Sequence, residues 1–370
     1  MRWAWAEVNL DAIANNVTVV RAAVAPSEVW AVVKADGYGH GAVAVARAAI
    51  AAGATRLCVA LTQEGVALRQ AGIDAPILLL SEQPPDDAEA IVANALTPTV
   101  YSMGAIEEIA AVAQPGDAVH LKIDTGMHRV GASPDDAVDL AAAVAAAGLH
   151  LEGVFTHLAM ADEPGAASNE LQLRRFDDTI ESLAAAGHRP SIVHAANSAA
   201  ALALPDSRRD AVRLGIALYG IEPGPAVSDL CAGLRAALSL HARVSMVKQV
   251  AAGEGISYGL RHRFAAPATV ATVPIGYADG VSRRLFQTGG EVLVHGKRLP
   301  IVGVVTMDQL LLDCGDVEVA VGDEVVLIGG QVGRHGSDAV PAEEWAARLG
   351  TIGYEVVCGI SGRVPRRSVA

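Results

Sequence analysis

Over its first 220 or so residues the chain alternates short apolar runs with alanine-rich stretches, and this alternation restricts the fold more than any other feature. The apolar runs are VWAVVK (29–34), LCVAL (57–61), ILLL (77–80), TPTV (97–100), VHLKID (119–124), EGVFTH (152–157), IVHA (192–195) and RLGIALY (213–219). They read as buried strands. Between most of them lie helix formers such as AVAVARAAIAAG and DDAVDLAAAVAAAG, the latter preceded by Ser133-Pro134 as cap and first turn. Eight β-then-α units in succession favour a closed parallel barrel over an open doubly wound sheet, although the open sheet would show the same strands.

After about residue 237 the pattern changes. LSLHARVSMVKQV, ATVATVPIGYA, EVLVHGKRLPIVGVV and DEVVLIG alternate apolar with polar residues, carry β-branched side chains and are broken by glycines, while PAEEWAARLG (341–350) stands alone as a helix. IEPGPAVSD (221–229) marks the junction. The expected architecture is an α/β protein: an N-terminal (β/α)8 TIM-type barrel over 1–237, its first few residues available to pair with the β part, followed by a mainly β C-terminal domain over 238–370.

Composition narrows the class of function. An apolar fraction of 52 % suits a folded enzyme and argues against disorder. With 28 basic against 41 acidic residues the formal net charge is −13, which disfavours nucleic acid and anionic membranes as partners. MRWAWAEVNLDAIANN has no long apolar core of a signal peptide, and no stretch is apolar enough for a membrane span. Cys58, Cys231, Cys314 and Cys358 are scattered without a CxxC pair, which reads as reduced thiols in a cytoplasmic protein; no metal is expected.

In a parallel barrel the chemistry lies at the carboxyl ends of the strands. Those ends deliver Lys34, Lys122 with Asp124, His157 and Asn197-Ser198; Arg213 opens the last run and Arg129 follows Lys122 by one loop. Cations converge there, so the rim calls for an anionic ligand. Lys34 precedes glycines at 37, 39 and 41, which let backbone N–H groups approach a phosphate-bearing cofactor; no GK[ST] follows, so this is not a P-loop. A strand-end lysine is ordinarily solvated. One desolvated among cations has a lowered pKa, as Schiff-base chemistry requires.

AVVKADGYGHGA (31–42) resembles the pyridoxal 5′-phosphate attachment motif of the alanine racemase family, which is of fold-type III. HLKIDTGMHRVG, GVFTHLAMAD, HAANSAA and VRLGIALYG resemble its barrel motifs, and GISYG, PIGYADG, TMDQ and GYE resemble those of its second domain, in the same order along the whole chain. The resemblance implies the following roles. Lys34 carries the cofactor and acts as one acid/base, and Tyr258 is the other; inverting a stereocentre calls for proton transfer on two opposed faces. Arg213 lies against the pyridine nitrogen, where a group that keeps its proton weakens the electron sink and favours return of the proton to carbon. His157 links Tyr258 to Arg213. Arg129 contacts the cofactor hydroxyl and the substrate carboxylate, and Lys122 is a candidate for carbamylation, which would turn a cation beside Arg129 into an anion. The phosphate meets Tyr38, Ser198, the amides of Gly215 and Ile216, and Tyr354. Met307 and Asp308 lie near the substrate carboxylate, and Tyr277 narrows the entrance. His128 stands where the family commonly has glycine and Thr306 where it commonly has cysteine.

A homodimer is also implied, two chains pairing head to tail so that each β domain completes the other's site. The implied activity is interconversion of L- and D-alanine for peptidoglycan; the nearest alternative is an amino-acid racemase of broader range. A barrel-type decarboxylase using the same cofactor would be expected to place a carboxylate at the ring nitrogen, where this chain offers Arg213. A cofactor carrier built from the barrel alone would have no use for GISYG.

Overall fold

The computed structural model describes residues 2–370. Two compact units make up the chain: Ala12–Arg235 forms one, and the described residues up to Asp11 join Ala236–Ala370 in the other. Of the strands, β1 (Ala4–Asn9) belongs to the second unit. The first is built on β2 (Glu28–Val32), β3 (Arg56–Val59), β4 (Ile77–Leu79), β5 (Thr99–Val100), β6 (Ala118–Lys122), β7 (His150–Phe155), β8 (Ile192–His194) and β9 (Ala211–Leu214).

These eight strands are parallel and ordered β4-β3-β2-β9-β8-β7-β6-β5. The remaining seam, between β4 and β5, is drawn together by a parallel bridge from Leu78 to Thr97 and by bonds from Leu79 N–H to the Thr97 carbonyl (2.9 Å) and from Thr97 N–H to the Ile77 carbonyl (2.8 Å). The sheet thus closes into the expected barrel. Helices such as Ala42–Ala51, Ala137–Ala146 and Ala167–Ala185 separate the strands. Ser133 Oγ accepts from Asp135 N–H at the turn before Ala137–Ala146, as Ser133-Pro134 suggested.

Side chains alternate across each strand, so His120 and Lys122 of β6 share a face, as do Ala211 and Arg213 of β9. Arg56 on β3 bonds to Glu152 on β7 although the two strands are not neighbours, so the contact crosses the barrel interior. A register slip between β6 and β7 pairs Val119 with Leu151 but His120 with Gly153, leaving Glu152 as the extra residue of a bulge. Bulges re-aim side chains, and this one turns Glu152 inward. A Cβ on Gly153 would come within 2.3 Å of the His120 ring, so only glycine leaves that imidazole room.

Two runs end earlier than their apolar character suggests. RLGIALY stops being strand at Leu214: Gly215 takes φ −93° and ψ −108°, and Ile216–Tyr219 winds into a 3₁₀ turn. β2 stops at Val32, two residues before Lys34. After Lys34 the backbone enters the left-handed region at Ala35 (φ 52°), Asp36 (50°), Gly37 (61°), Tyr38 (51°) and Gly39 (78°). Each non-glycine residue so placed costs about 1–2 kcal/mol, so the turn persists only where its surroundings hold it. Gly37 N–H bonds to the Val33 carbonyl and Gly39 N–H to the Ala35 carbonyl (both 2.9 Å), and Asp36 Oδ1 accepts from Ala42 N–H (2.9 Å). Glu64 anchors the start, accepting from the N–H groups of Ala35, Ala60 and Leu61.

The second unit is mainly β, as the alternation predicts. Its strands are β1 with β10 (Leu238–Arg243), β11 (Met246–Val250), β12 (Gly255–Ile256), β13 (His262–Arg263), β14 (Ala268–Val273), β15 (Glu291–Val294), β16 (Lys297–Val302), β17 (Leu310–Asp313), β18 (Glu324–Gly333), β19 (Gly336–Val340) and β20 (Arg366–Val369). Ten of them form one sheet, in which β1 lies between β10 and β20, antiparallel to the first and parallel to the second. The β12–β13 pair stands apart over a buried cluster of Val250, Ile256, Phe264, Val270 and Val302. Helices Ala342–Leu349 and Gly353–Cys358 complete the unit.

Because Glu64 alone accepts three backbone N–H groups near the left-handed turn, Glu64→Ala is expected to lower stability by about 1–3 kcal/mol. Chemical denaturation of the two proteins measures this; an unchanged midpoint would show that the turn stands without it.

Candidate active site

The carboxyl rim of the barrel brings together Lys34, Lys122, Arg129, His157 and Arg213. Lys122 and Arg213 are buried, at 5 % and 3 % exposure, whereas Lys34 and His157 are half-buried and Arg129 is exposed. Their fields act on one another. Burial, then Arg213, Arg129 and Lys34, pull the Lys122 amine down to about 7. Its ammonium donates to the Leu80 carbonyl (3.1 Å) and lies 5.3 Å from the centre of the Phe155 ring. Lys122, Asp124, Met127, Arg129 and His157 line one small cavity. Asp124 organises the loop that carries Arg129: its Oδ1 accepts from the N–H groups of Gly126, Met127 and His128 (2.9, 3.0 and 3.1 Å). His128, where glycine is common, takes φ 53°, a conformation glycine adopts without strain.

Arg213 stands at the centre. Nη1 donates to His194 Nδ1 (2.7 Å); Nη2 donates to the carbonyls of Thr156 (2.8 Å) and Ala195 (2.9 Å), with His157 Nδ1 at 3.4 Å. No carboxylate touches it, and its Nε has no acceptor among the described residues. A guanidinium only donates, so His157 Nδ1 is the accepting nitrogen and its single proton sits on Nε2. Burial, then Arg213, hold His157 well below the ordinary histidine range, so it is neutral.

Beside this cationic group lies a small polar cradle. Ser198 follows Asn197, the residue that caps helix Ser198–Ala203 by accepting from Ala200 N–H. Ser198 itself is therefore released from capping, and its hydroxyl meets Gly215 N–H (2.9 Å) and Ala217 N–H (3.3 Å). The N–H of Ile216 has no acceptor among the described residues. A Cβ on Gly215 would lie 2.9 Å from the Tyr38 hydroxyl, which glycine alone admits so close to the backbone. Tyr38 is buried and packs on Tyr219 with ring centres 5.0 Å apart. Hydroxyls and amides so gathered suit an anion that carries its own charge.

In the second unit Tyr258 opens a 3₁₀ turn flanked by left-handed Ser257 (φ 58°), Gly259 (73°) and Leu260 (47°). Its ring is 72 % exposed. Ser257 Oγ bonds to the Val304 carbonyl (2.6 Å), and Gly255 leaves room for Leu260, so the turn is held rigid while it displays the phenol. PIGYADG and TMDQ are joined: Tyr277 N–H bonds to the Thr306 carbonyl (3.0 Å) and Ala278 N–H to the Met307 carbonyl (3.1 Å). Gly276 permits this approach, since a Cβ there would meet the Thr306 carbonyl oxygen at 2.3 Å. Tyr277 and Met307 are exposed, and Asp308 is engaged by Arg363 (2.7 Å). Thr306 Oγ1 closes the TMDQ turn on the Gln309 carbonyl (2.9 Å), a bond that a cysteine there would make weakly. Tyr354 is half-buried on helix Gly353–Cys358.

Residues 8–223 match the family profile described as "Alanine racemase, N-terminal domain", and residues 237–368 match "Alanine racemase, C-terminal domain". The chain belongs to the alanine racemase family. An alanine racemase of Symbiobacterium thermophilum is 47 % identical over 374 residues, spanning 99 % of this chain and 97 % of that protein. One of Desulforamulus reducens is 45 % identical over 98 % of each. Among solved structures, the alanine racemase of Bacillus anthracis with bound L-Ala-P superposes with a TM-score of 0.93 at 42 % identity, covering 100 % of this chain and 96 % of that one. That of Streptomyces lavendulae gives 0.92 at 38 % identity, covering 100 % and 98 %.

Sequence reasoning missed four residues of this family member: Arg56, His120, Glu152 and His194, the last in contact with Arg213. The signal available was period two. His120 precedes Lys122 by two residues on one strand, and a polar residue on the inner face of a buried strand needs a partner.

A lysine held near 7 pays for its burial only while charged, which fixes the sign of a pH effect. Below pH 7 both folded and unfolded chains carry the proton and the cost is full; between 7 and about 10.4 the unfolded chain binds more protons, so stability rises with pH. Lys122→Met is therefore expected to stabilise the protein most at and below pH 7 in CO₂-free buffer, with the gain shrinking as pH rises. Urea unfolding at pH 6 and 9 tests this; an equal gain at both would contradict it.

Proposed function

We propose that this chain racemises alanine using pyridoxal 5′-phosphate held at the carboxyl rim of the barrel. The observation that carries the reading is the environment of Arg213: among the described residues, a buried guanidinium bonded only to carbonyls and imidazoles, with no acceptor for Nε and no carboxylate in contact. A decarboxylase of the same cofactor class was expected to place a carboxylate there. The cofactor fits the residues present. Tyr38, Ser198, Gly215 and Ile216, joined by Tyr354, would hold its phosphate; Arg213 Nε would serve the ring nitrogen, and Lys34 would be the amine that anchors the group. When bound, the cofactor supplies an electron sink that acidifies the Cα–H of the attached amino acid.

The protein's own groups do the rest. Lys34 Nζ moves a proton on one face of Cα and the Tyr258 phenol on the other. Neutral His157, its Nδ1 turned to Arg213, offers the Nε2 proton to the phenolate oxygen. Arg213 would keep its proton beside the ring nitrogen and so would limit side reactions. Arg129 and the Met307 N–H hold the substrate carboxylate, Asp308 stands beside them, and Tyr277 narrows the approach. Lys122, with a large neutral fraction near pH 7, attacks CO₂ through its amine lone pair, loses one proton to solvent and becomes a carbamate that steadies Arg129. Incubation with ¹³C-bicarbonate should give a carbamate resonance at pH 8 that disappears in Lys122→Ala; its absence at pH 8 would leave Lys122 a plain amine.

We propose further that two chains pair head to tail, each Tyr258 turn completing the other's rim. The exposure of Tyr258, Tyr277 and Met307 on one unit supports this reading. The D-alanine made would serve peptidoglycan synthesis, in the cytoplasm. Complementation tests the pairing and the chemistry together. Lys34→Ala and Tyr258→Phe proteins are each expected to be nearly inactive with L-alanine. Unfolded together and refolded, they should regain about a quarter of wild-type activity, because half the dimers hold one intact site of two. No recovery would mean that both groups of a site come from one chain.

A further inference from the structure

The interior of the barrel contains a row of polar side chains that the proposed chemistry does not use. We propose that Glu152, His120 and His194 are positioning residues for the reaction, a one-way relay of hydrogen bonds that holds Arg213 in its charged form and in one orientation. The inference rests on the reading that Arg213 faces the cofactor.

Its direction follows from donor and acceptor logic alone. Arg213 Nη1 lies 2.7 Å from His194 Nδ1 and only donates, so His194 Nδ1 carries a lone pair and the His194 proton sits on Nε2. That nitrogen lies 3.0 Å from His120 Nδ1 and donates to it, which puts the His120 proton on Nε2. His120 Nε2 lies 2.9 Å from Glu152 Oε2, and an ionised carboxylate only accepts. Reversing either ring would set two lone pairs or two N–H groups face to face. Arg56 terminates the row with two bonds to the Glu152 carboxylate (2.7 and 3.0 Å). Its 3.2 Å approach to His120 Nε2 is between two donors that share Glu152 Oε2.

The packing leaves the rings no other choice. His120 and His194 are both wholly buried. Phe155 stacks on His194 with centres 4.6 Å apart and Trp30 lies at 4.6 Å on it as well. Gly153 makes the space for His120, and the bulge at Glu152 aims the carboxylate at it. Among the charged groups facing the pair are Arg56 and Glu152 at one end and Arg213 and Lys122 at the other. Burial, then Arg213, hold His194 well below the ordinary range; burial lowers His120 against the pull of Glu152. Both rings are therefore neutral, and each has one proton to place. The relay carries the influence of a carboxylate to Arg213 without bringing one into contact. Direct contact would compete for the guanidinium; the neutral His194 ring accepts from it and orients it without supplying a counter-charge in contact. Burial pulls Arg213 down to about 10; acceptors of its N–H groups, the His194 ring and the Thr156 and Ala195 carbonyls, favour the charged form.

Two measurements on the holoenzyme test this. In ¹⁵N-imidazole spectra at pH 8, assigned with His120→Gln and His194→Gln, both histidines should appear as the neutral Nε2–H tautomer. A proton on Nδ1 of either would overturn the relay. In kinetics with L-alanine, His194→Leu should lose about 10²-fold in kcat with KM changed less than about threefold, and shift the absorbance of the bound cofactor. His194→Gln, whose amide oxygen accepts from Arg213 while its N–H donates to His120, should recover at least about tenfold of that loss. Unchanged kcat and spectrum in His194→Leu would overturn the positioning role. Arg213→Gln run alongside separates the two failures. An unchanged cofactor spectrum there overturns the reading of Arg213 itself, and a changed one there with an unchanged one in His194→Leu overturns the relay alone.

Discussion

A guanidinium buried in a parallel barrel without a carboxylate in contact is the constraint on which the rest of the site depends. Moving such a charge out of water costs several kcal/mol, and an attached carboxylate is the usual remedy. Here Arg213 is satisfied instead by the carbonyls of Thr156 and Ala195 and by the ring of His194. These acceptors come from the end of β7, from β8 and from the loop beyond it. The register of three adjacent strands must therefore be right before the charge can be accommodated. Burial lowers Lys122 and His157, and the uncompensated field of Arg213 reaches outward and deepens both shifts. A rim with this charge favours an anionic ligand and keeps its own bases unprotonated.

Strain collects where side chains must be displayed. Its longest runs lie in the left-handed turn after Lys34 in the barrel unit and around Tyr258, between Ser257 and Leu260, in the β unit. Both turns are held by bonds to neighbouring segments, from Glu64 in one case and from Ser257 to Val304 in the other. Glycine plays a second, steric part. Gly153, Gly215 and Gly276 admit a ring, a hydroxyl and a carbonyl to places where a methyl group would collide.

Much of this was legible in the residues, for identifiable reasons. The barrel was readable because a strand covered on both faces must be apolar throughout, and because strands in succession separated by helices have few ways to pair. The β unit was readable from its change to period two. That Lys34, His157 and Ser198 fall at one rim was readable because strand ends in a parallel barrel face the same side. The strand end at Gly215 was not, because its backbone angles depend on the cradle beyond it and leave no mark in RLGIALY. Glu64 was equally invisible. A glutamate in the first turn of a helix looks solvated, and nothing nearby in sequence discloses the N–H of Ala35.

What the sequence determined by itself is local and periodic: which segments become strands or helices, which cations fall at strand ends, and which motifs tie the chain to its family. Those follow from short-range sterics and from the spacing of apolar residues. Only the tertiary structure decided how the barrel's interior is wired. Arg56, His120, Glu152, His194 and Arg213 are as much as 157 residues apart along the chain (56 to 213), and the protonation of each depends on the lone pairs of the next. A hydrogen bond's direction belongs to a pair in space, so it is settled only when strands with no sequence relation are closed into one ring.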